Sequence, residues 1–241
     1  MSGNIRIVLV ETTHPGNIGA VARAMKTMAL TALYLVRPKV FPNAECTARA
    51  CGADDLLATA QVCEDLDQAL RGCRLVIGSS ARQRSVEWPT LDPRQAARRL
   101  LAEAEQGPVA LVFGRESSGL SNAELDRCHL LAQVPTHPHF SSLNVAAAVQ
   151  LFAYELRMAS LEGVAVVPEG RAVAEAEVLE AMLEHLTETL RMIGFADPQQ
   201  SRKLMRRLRR MFQRARPDHH EINILRGIFR SAQHLARRLQ P

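Results

Sequence analysis

Apolar residues form short continuous runs along the first 160 residues, and segments of helical periodicity separate them. Runs of this length, rich in β-branched residues, are typical of strands buried on both faces of a sheet. Strands that alternate with helices predict the α/β class, a parallel sheet with helices on both faces. The predicted strands are 5–10, 32–36, 75–78, 109–113 and 130–134, and the main predicted helices are 17–30, 93–105 and 143–161.

The last third of the chain has a different pattern, in which the strand-like runs disappear. Residues 163–174 contain glycine and proline without a clear period, which predicts a linker. Helical periodicity then returns over 175–193, 198–215 and 219–239. The sequence therefore predicts a first domain at 1–162, a linker at 163–174 and a small all-helical domain at 175–241.

Charge is distributed unevenly between these two parts. Residues 1–170 have 16 Lys and Arg against 17 Asp and Glu, a net charge of −1, whereas residues 171–241 have 14 against 8, a net charge of +6. The overall charge of +5 therefore comes from the C-terminal part. An excess of this kind indicates a polyanionic partner for that part.

Most of the basic excess lies in "RKLMRRLRRMFQRAR", residues 202–216, where eight of fifteen residues are Lys or Arg. No acid within the run compensates this charge at helical spacing. Contact with nucleic acid is favoured over a plain solvated face or a membrane-surface helix. The apolar positions of one predicted face are Leu204, Met205, Leu208, Met211, Phe212 and Ala215, and the cations of the other are Arg202, Lys203, Arg206, Arg207, Arg209, Arg210 and Arg214.

Composition argues against several other classes of protein. The five cysteines form no CxxC pair and the histidine pairs lack metal-site spacing, so we expect reduced thiols and no metal. No apolar run reaches the roughly 18 residues of a membrane helix, and the N-terminus lacks a signal-peptide pattern. We therefore expect a cytoplasmic protein that does not bind a membrane.

The stretch "HPGNIGAVARAMK", from His14 to Lys26, resembles a phosphate-binding loop at first sight. Its spacing matches neither GxGxxG nor a P-loop, and Arg37 and Lys39 stand near the position where a dinucleotide fold has an acid. One interpretation is that Asn17, near the start of the helix, and Arg23, nearly two turns further along, face the same cleft. The alternative is that Asn17 caps the helix and Arg23 is a surface residue.

Three further loops follow predicted strands, where ligands bind in open α/β sheets. "GSSARQRSVEW" contains Ser79 and a lone tryptophan, "VFGRESSGL" contains Glu116, and "VPTHPHFSSLN" contains Asn144. The structural alternatives are a core tryptophan, a solvated loop carboxylate, and Ser and Asn side chains that cap a helix.

Taken together, "HPGNIGAVARAMK", "VFGRESSGL" and "FSSLNVAAAVQL" resemble the three signature motifs of SPOUT-class (TrmH-like) RNA ribose methyltransferases. The C-terminal "RRMFQRARPDHHEINILRGIF" resembles the helical extension of members that act on tRNA, so the resemblance covers nearly the whole chain. It implies a C-terminal trefoil knot in the α/β domain and a homodimer with active sites between subunits. It also implies S-adenosylmethionine as cofactor, and as target the ribose of nucleotide 32, a cytidine or uridine in the tRNA anticodon loop.

The same resemblance assigns roles to individual residues. In the implied mechanism Arg23 binds the adjacent phosphate or the developing alkoxide, because a guanidinium stays protonated, and Asn17 holds Arg23. The implied catalytic residues are Asn17, Arg23, Glu116, Ser142 and Asn144. The implied cofactor residues are Ser79, Ser80, Ala81, Gly114, Arg115, Glu116, Val134, Ser141, Ser142 and Leu143, and the expected RNA contacts are Arg82, Arg84, Arg206, Arg207 and Arg210. A ribosomal RNA ribose methyltransferase and a non-catalytic RNA-binding protein remain as alternatives.

Overall fold

The computed structural model describes residues 2–80, 90–137, 139–162, 174–195 and 201–239. The chain divides into two compact units, residues 1–168 and 169–241. Among the described residues, no helix has the length and apolar character needed to cross a membrane.

The first unit is built on a parallel sheet of seven strands in the order β3-β2-β1-β6-β4-β7-β5. The central strand β6 is buried at every position, so apolar side chains cover both of its faces. This burial explains why its sequence is a continuous apolar run without alternation. The strands are β1 (Ile5–Val10), β2 (Ala32–Val36), β3 (Gln61–Cys63), β4 (Leu75–Ser79), β5 (Thr90–Leu91), β6 (Val109–Phe113) and β7 (Leu130–Ala132).

Helices pack against this sheet and share one hydrophobic core with it. The core contains Ile7 of β1, Met25 of the first helix and Phe152 of the last, all fully buried. The helices of this unit are α1 (Pro15–Thr27), α2 (Ala44–Ala50), α3 (Asp54–Ala58), α4 (Leu66–Leu70), α5 (Pro93–Ala104), α6 (Asn122–Leu125) and α7 (Val145–Glu162), and a short 3-10 helix precedes β1 at Ser2–Asn4.

The α/β class with a parallel sheet is confirmed, and each predicted strand and helix of this unit has a counterpart. The predicted strand at 130–134 ends earlier, at Ala132, so Val134 belongs to the loop that follows. The pattern did not predict β3, which exposes two of its three residues, or the two-residue β5. Short edge strands of this kind contain too few apolar residues to give a periodic signal. The trefoil knot stays a prediction.

The residues described in the second unit, 174–195 and 201–239, form three helices around a small core of their own. Leu183 of the first helix and Ile222 of the last are almost fully buried. Ala174, the last residue of the predicted linker, is also buried here, and its N–H donates to the carbonyl of Pro217 at 3.1 Å. Ala174 therefore belongs to this unit rather than to the linker. The helices are α8 (Ala176–Met192), α9 (Ser201–Ala215) and α10 (His219–Leu239).

Candidate active site

A cavity of about 290 Å³ opens at the carboxyl ends of three neighbouring strands, β6, β4 and β7. Every predicted cofactor residue within the described part of the chain lines it, whereas Ala81 lies outside that part. The lining residues are Ser79, Ser80, Phe113, Gly114, Arg115, Glu116, Ser117, Ser118, Gly119, Leu120, Val134, Ser141, Ser142, Leu143, Val145 and Ala148.

Strand register explains why loops so distant in sequence meet here. Val112 of β6 pairs with Gly78 of β4, and Ser79 of β4 pairs with Ala132 of β7. All three strands therefore end at one edge of the sheet, where α/β proteins bind ligands.

The loop after β6 closes tightly on itself. Arg115 and Gly119 exchange backbone hydrogen bonds of 3.2 and 2.8 Å, and Gly119 adopts a φ of +68°. A Cβ on Gly114 would lie 2.2 Å from the carbonyl carbon of Gly119. Glycine is therefore required at position 114, because no side-chain atom fits between these two backbone segments.

The Arg115 guanidinium stabilises this loop from within. Nη1 and Nη2 donate to the two carboxylate oxygens of Glu124 at 2.9 Å each, and Nε donates to Glu11 at 2.8 Å. These hydrogen bonds, first from Glu124 and then from Glu11, raise the pKa of Arg115. Its side chain is therefore committed to these carboxylates. Glu11 and Glu124 were not predicted as site residues, although "SNAE" at 121–124 is the sequence signature of a capping box, which the structure contains.

The Glu116 carboxylate binds the start of α1. It accepts hydrogen bonds from the backbone N–H groups of Thr13 and His14, from the Thr13 hydroxyl, and from Asn17 Nδ2 at 2.9 Å. Burial alone would raise the pKa of Glu116, but these hydrogen bonds outweigh it and lower the pKa to about 2. The alternative of a merely solvated loop carboxylate is wrong.

Asn17 and Asn144 continue this chain of hydrogen bonds toward α7. Asn144 Nδ2 donates to Asn17 Oδ1 at 3.0 Å, and Asn144 Oδ1 accepts from the N–H of Ala146 at 2.9 Å. Asn144 thus caps α7, as the structural alternative predicted. Asn17 does not cap α1, because it is the third residue of a helix whose N-cap is His14. The predicted catalytic residues Asn17, Glu116 and Asn144 are therefore brought together.

Arg23 and Ser142 have different positions. Ser142 is exposed and lines the cavity. Arg23 is exposed two turns along α1 and makes no hydrogen bond or ion pair with the described residues. Glu116 and Asn144 each bind one end of the Asn17 amide, and no hydrogen bond joins Asn17 to Arg23 among the described residues of one subunit. That Asn17 holds Arg23 stays a prediction.

The glycines of "HPGNIGAVARAMK" have a packing role. A Cβ on Gly19 would lie 2.1 Å from the carbonyl oxygen of Cys46 in α2. A Cβ on Gly16 would meet the Glu45 side chain, also in α2. The glycines let α1 and α2 approach closely, which supports the earlier rejection of a phosphate-binding loop.

The basic helix α9 differs in part from its prediction. Arg209 forms an ion pair with Glu180 of α8, so an acid from another helix compensates part of the charge. Arg206 and Arg210 are half-buried and interact with other groups, whereas Arg207 is exposed. The buried face of α9 also contains fewer of the predicted apolar residues than expected. Met211 and Ala215 are exposed, while Gln213 is buried, so the exposed cations of the helix are Arg202, Lys203, Arg207 and Arg214.

The predicted RNA contacts that follow β4 and a possible metal site remain to be located. Arg82 and Arg84, predicted to contact RNA, and Trp88 lie outside the described residues. Within the described ranges, no three His, Cys, Asp or Glu side chains cluster as metal ligands would.

This fold and this arrangement of loops occur in a known class of protein. Residues 4–154 match the model of the SpoU rRNA Methylase family, and the chain belongs to that family. The expected membership of the SPOUT class is therefore confirmed.

The second unit matches a family model of its own, and individual relatives are similar to the chain over nearly its whole length. Residues 177–241 match the model described as tRNA methyltransferase TrmJ, C-terminal domain. The chain is 52% identical over 236 residues to the tRNA (cytidine/uridine-2′-O-)-methyltransferase TrmJ of Pectobacterium atrosepticum, covering 97% of this chain and 98% of the relative. Its Klebsiella pneumoniae counterpart is 50% identical, with the same coverage of both chains. The crystal structure of TrmJ from Z. mobilis is 33% identical, with a TM-score of 0.81 over 94% of this chain and 97% of that one.

Proposed function

We propose that the protein transfers a methyl group from S-adenosylmethionine to the ribose 2′-hydroxyl of a cytidine or uridine at position 32 of tRNA. The observation that carries this proposal is the near full-length identity of 52% with a TrmJ methyltransferase. The cavity at the strand ends and the hydrogen-bonded group Glu116–Asn17–Asn144 supply a site for the reaction. The enzyme acts in the cytoplasm.

The cavity fits the cofactor in both size and chemistry. Its volume of about 290 Å³ is close to the lower end of the range for small-molecule sites. Phe113, Leu120 and Val134 provide apolar surface, while Ser79 and Ser141 provide hydroxyl and backbone polar groups. When bound there, S-adenosylmethionine supplies a reactive sulfonium methyl group.

The residues of the chain have to position the ribose and assist loss of its proton. Methyl transfer requires the attacking oxygen at about 3 to 3.5 Å and in line with the bond that breaks. Ser142 lines the cavity, and Asn144 lies in the sequence between the lining residues Leu143 and Val145. In this proposal both shape the hydroxyl pocket, and Glu116 fixes Asn17 against Asn144. Arg23 donates its fixed N–H groups to the developing alkoxide or to the adjacent phosphate.

We propose that a second copy of the chain completes the site, because Arg23 makes no hydrogen bond with Asn17 or Asn144 among the described residues of its own subunit. The exposed face of α7 supports this dimer. Its apolar residues recur at helical spacing as one stripe, and Leu143 at the cavity precedes that stripe. The face consists of Ala147, Leu151, Tyr154, Met158 and Leu161.

tRNA is held by cations of both units in this proposal. Arg82 and Arg84 follow the strand β4 that ends at the cavity, and Arg207 is an exposed cation of α9. Of the three C-terminal arginines first proposed, Arg207 has the most accessible charge, whereas Arg206 and Arg210 are half-buried. Exposed Arg202 and Arg214 belong to the same cationic surface.

The deciding experiment is methyl transfer from labelled S-adenosylmethionine to unmodified tRNA, followed by nucleoside mass spectrometry and mapping of the modified position. A 2′-O-methylated cytidine or uridine at position 32 supports the proposal. A base-methylated product would overturn the roles given to Arg23 and Asn144. tRNA binding without any product would favour the RNA-binding alternative.

A second target position has a specific observation in its favour. A structure described as giving insights into 2-OH methylation of C/U34 on tRNA is 27% identical, with a TM-score of 0.52 over 66% of this chain and 97% of that one. Its match covers about two thirds of this chain. The C-terminal unit, in contrast, matches the model of the TrmJ C-terminal domain, and position 32 is the target that the resemblance of the motifs implies. The same mapping distinguishes positions 32 and 34, and ribosomal RNA in a parallel reaction tests the third substrate.

A further inference from the structure

Three exposed cations border the loop that leads from β1 into α1. We propose that Arg37, Lys39 and Arg49, which we name the 37–49 patch, bind phosphate groups of the RNA strand next to the target ribose. The inference rests on the proposed function, because it takes tRNA as the substrate. It adds a contact surface on the first unit, whose overall charge is close to neutral.

Sheet register brings this patch to the same edge as the cavity. Val36 of β2 pairs with Val10 of β1, and Leu9 of β1 pairs with Phe113 of β6. Neighbouring strands lie about 4.8 Å apart, so the loop after β2 leaves the sheet about 10 Å from the loop that contains Glu116.

Hydrogen bonds connect the patch to the site more directly. The N–H of Lys39 donates to the carbonyl of Thr12 at 3.0 Å, and the next residue, Thr13, binds Glu116 through its hydroxyl at 2.9 Å. Lys39 is thus anchored to the segment that positions Asn17. A phosphate bound at Lys39 would therefore lie beside the cavity.

Arg49 reaches the same segment from α2. A Cβ on Gly16 would lie 3.4 Å from Arg49 Cγ, so the aliphatic part of Arg49 passes close to the first turn of α1. A long cationic side chain commonly packs its methylenes in this way and keeps its charged end in water. Lys39 and Arg49 therefore border the same loop from two sides.

The charged ends are available for a ligand. The side chains of Lys39 and Arg49 are exposed and make no hydrogen bond or ion pair with the described residues. The side chain of Arg37 is 57% exposed and donates through Nη2 to Glu11 at 2.6 Å. Its other guanidinium nitrogens make no further hydrogen bond with described residues and can bind a phosphate.

The acids nearby do not cancel this charge. Glu11 also accepts a hydrogen bond from Arg115, so two arginines share its charge. Glu45 is an exposed acid whose side chain lies near Gly16. A dinucleotide fold has an acid near positions 37–39 to bind a ribose hydroxyl, and this chain has cations there, which suit a phosphate.

The test measures tRNA binding over a series of salt concentrations with the full-length protein. Lys39→Gln and Arg49→Gln are each compared with Arg71→Gln. Arg71 is an exposed cation that precedes β4, so it lies at the amino ends of the parallel strands, whereas the patch lies at their carboxyl ends. We expect each patch variant to weaken tRNA binding several-fold and to lower the slope of log Kd against log salt by about one. Arg71→Gln should match the wild type.

Kinetics provide the second measurement. A contact made equally before and during the reaction changes KM for tRNA and leaves kcat unchanged. We expect that result for both patch variants, with unchanged S-adenosylmethionine affinity by calorimetry. Lys39→Arg keeps the charge and should retain wild-type binding, which separates loss of contact from misfolding.

Salt slopes equal to that of Arg71→Gln would overturn the patch, as would a loss of kcat without a change in KM. Failure of the proposed function has a different signature. In that case the wild-type protein itself forms no 2′-O-methylated product, whatever its salt slope.

Discussion

Asn144 donates its side-chain amide to Asn17 across 3.0 Å, although the two residues are 127 positions apart in the sequence. The hydrogen bond joins the start of α1 to the start of α7. Asn144 has two functions in this contact, because its Oδ1 also caps α7 through Ala146 while its Nδ2 holds Asn17. Two substitutions separate these functions.

Asn144→Asp keeps the capping oxygen and replaces the donor with a second acceptor, which faces Asn17 Oδ1. We expect methyl transfer to fall at least tenfold, about 1.4 kcal/mol in the barrier, with little change in thermal stability. Asn144→Ala also removes the cap, which costs about 1 kcal/mol of stability. Comparison of kcat and melting temperature for the two variants checks this prediction, and equal activity of Asn144→Asp and wild type would contradict it.

Glu116 makes the stability of the first unit depend on acid pH. Its pKa is about 2 in the folded protein and near 4.5 as the ordinary value, so its ionised form stabilises the fold above pH about 4.5. That contribution is lost as pH falls from about 4.5 toward 2. Glu116→Gln cannot ionise and should lack it.

We therefore expect wild type to be more stable than Glu116→Gln at pH 7, with a difference that shrinks below pH about 4.5. Urea unfolding of both proteins across this range measures the difference. Glu11 and Glu124 also have lowered pKa values. Both proteins contain them, so their contributions to the pH dependence of stability cancel in the difference. A difference that stays constant down to pH 2 would disprove the assignment.

The glycines of α1 provide a test of packing. Gly19→Ala would place a Cβ 2.1 Å from the Cys46 carbonyl oxygen, which is backbone and cannot easily move. We expect a loss of about 1–3 kcal/mol in the free energy of unfolding. In Gly16→Ala the new Cβ meets the flexible end of Glu45 at 2.6 Å, so this matched variant should remain close to wild type. Chemical denaturation compares them, and equal stabilities would contradict the packing role.

Sequence patterns predicted the sheet and the loops of the site to different extents. The continuous apolar run Val109–Phe113 predicted its buried strand with correct ends, because a strand buried on both faces must be apolar throughout. Short helices such as Ala44–Ala50 were missed, because two turns give little periodicity. Helix α2 nevertheless determines where glycine is needed in α1.

The motifs of the site were found through their resemblance to a family, but their contacts were not. Glu116 lines the cavity. Its partners Thr13 and His14 bind it largely through backbone N–H groups, which any residue except proline supplies. The sequence also overestimated how much of the positive charge of α9 is uncompensated. The acid that pairs with Arg209 comes from α8, and pairing between helices leaves no trace in local spacing.

The exposed and paired cations of α9 should respond differently to substitution. The variant with Gln at Arg202, Arg207 and Arg214 removes exposed charge, so we expect weaker tRNA binding and a flatter salt dependence with unchanged melting temperature. Arg209→Gln breaks the ion pair with Glu180, so we expect it chiefly to lower the stability of the second unit. Fluorescence titration with tRNA and thermal unfolding separate the two effects. An unchanged salt slope in the triple variant would exclude this face as an RNA contact.

Mixing two impaired variants tests whether Arg23 acts in the site of a second copy. Arg23→Ala is expected to be inactive, and Asn144→Asp to keep at most about a tenth of wild-type activity. If Arg23 serves the partner's cavity, a mixed dimer contains one site with both residues intact, and an equal mixture should recover about a quarter of wild-type activity, given that half of the dimers are mixed. If Arg23 serves its own cavity, each site in a mixed dimer lacks one residue.

The recovered activity must also depend on the dimer. Leu151→Glu with Tyr154→Glu places two charges on the exposed face of α7 and should yield monomers by light scattering, whereas Val62→Glu, on the exposed edge strand β3, should not. Introduced into both impaired partners, the α7 changes should abolish recovery. An equal mixture that stays inactive although mixed dimers have formed would show that Arg23 acts within its own subunit, nearly two turns of α1 away from Asn17.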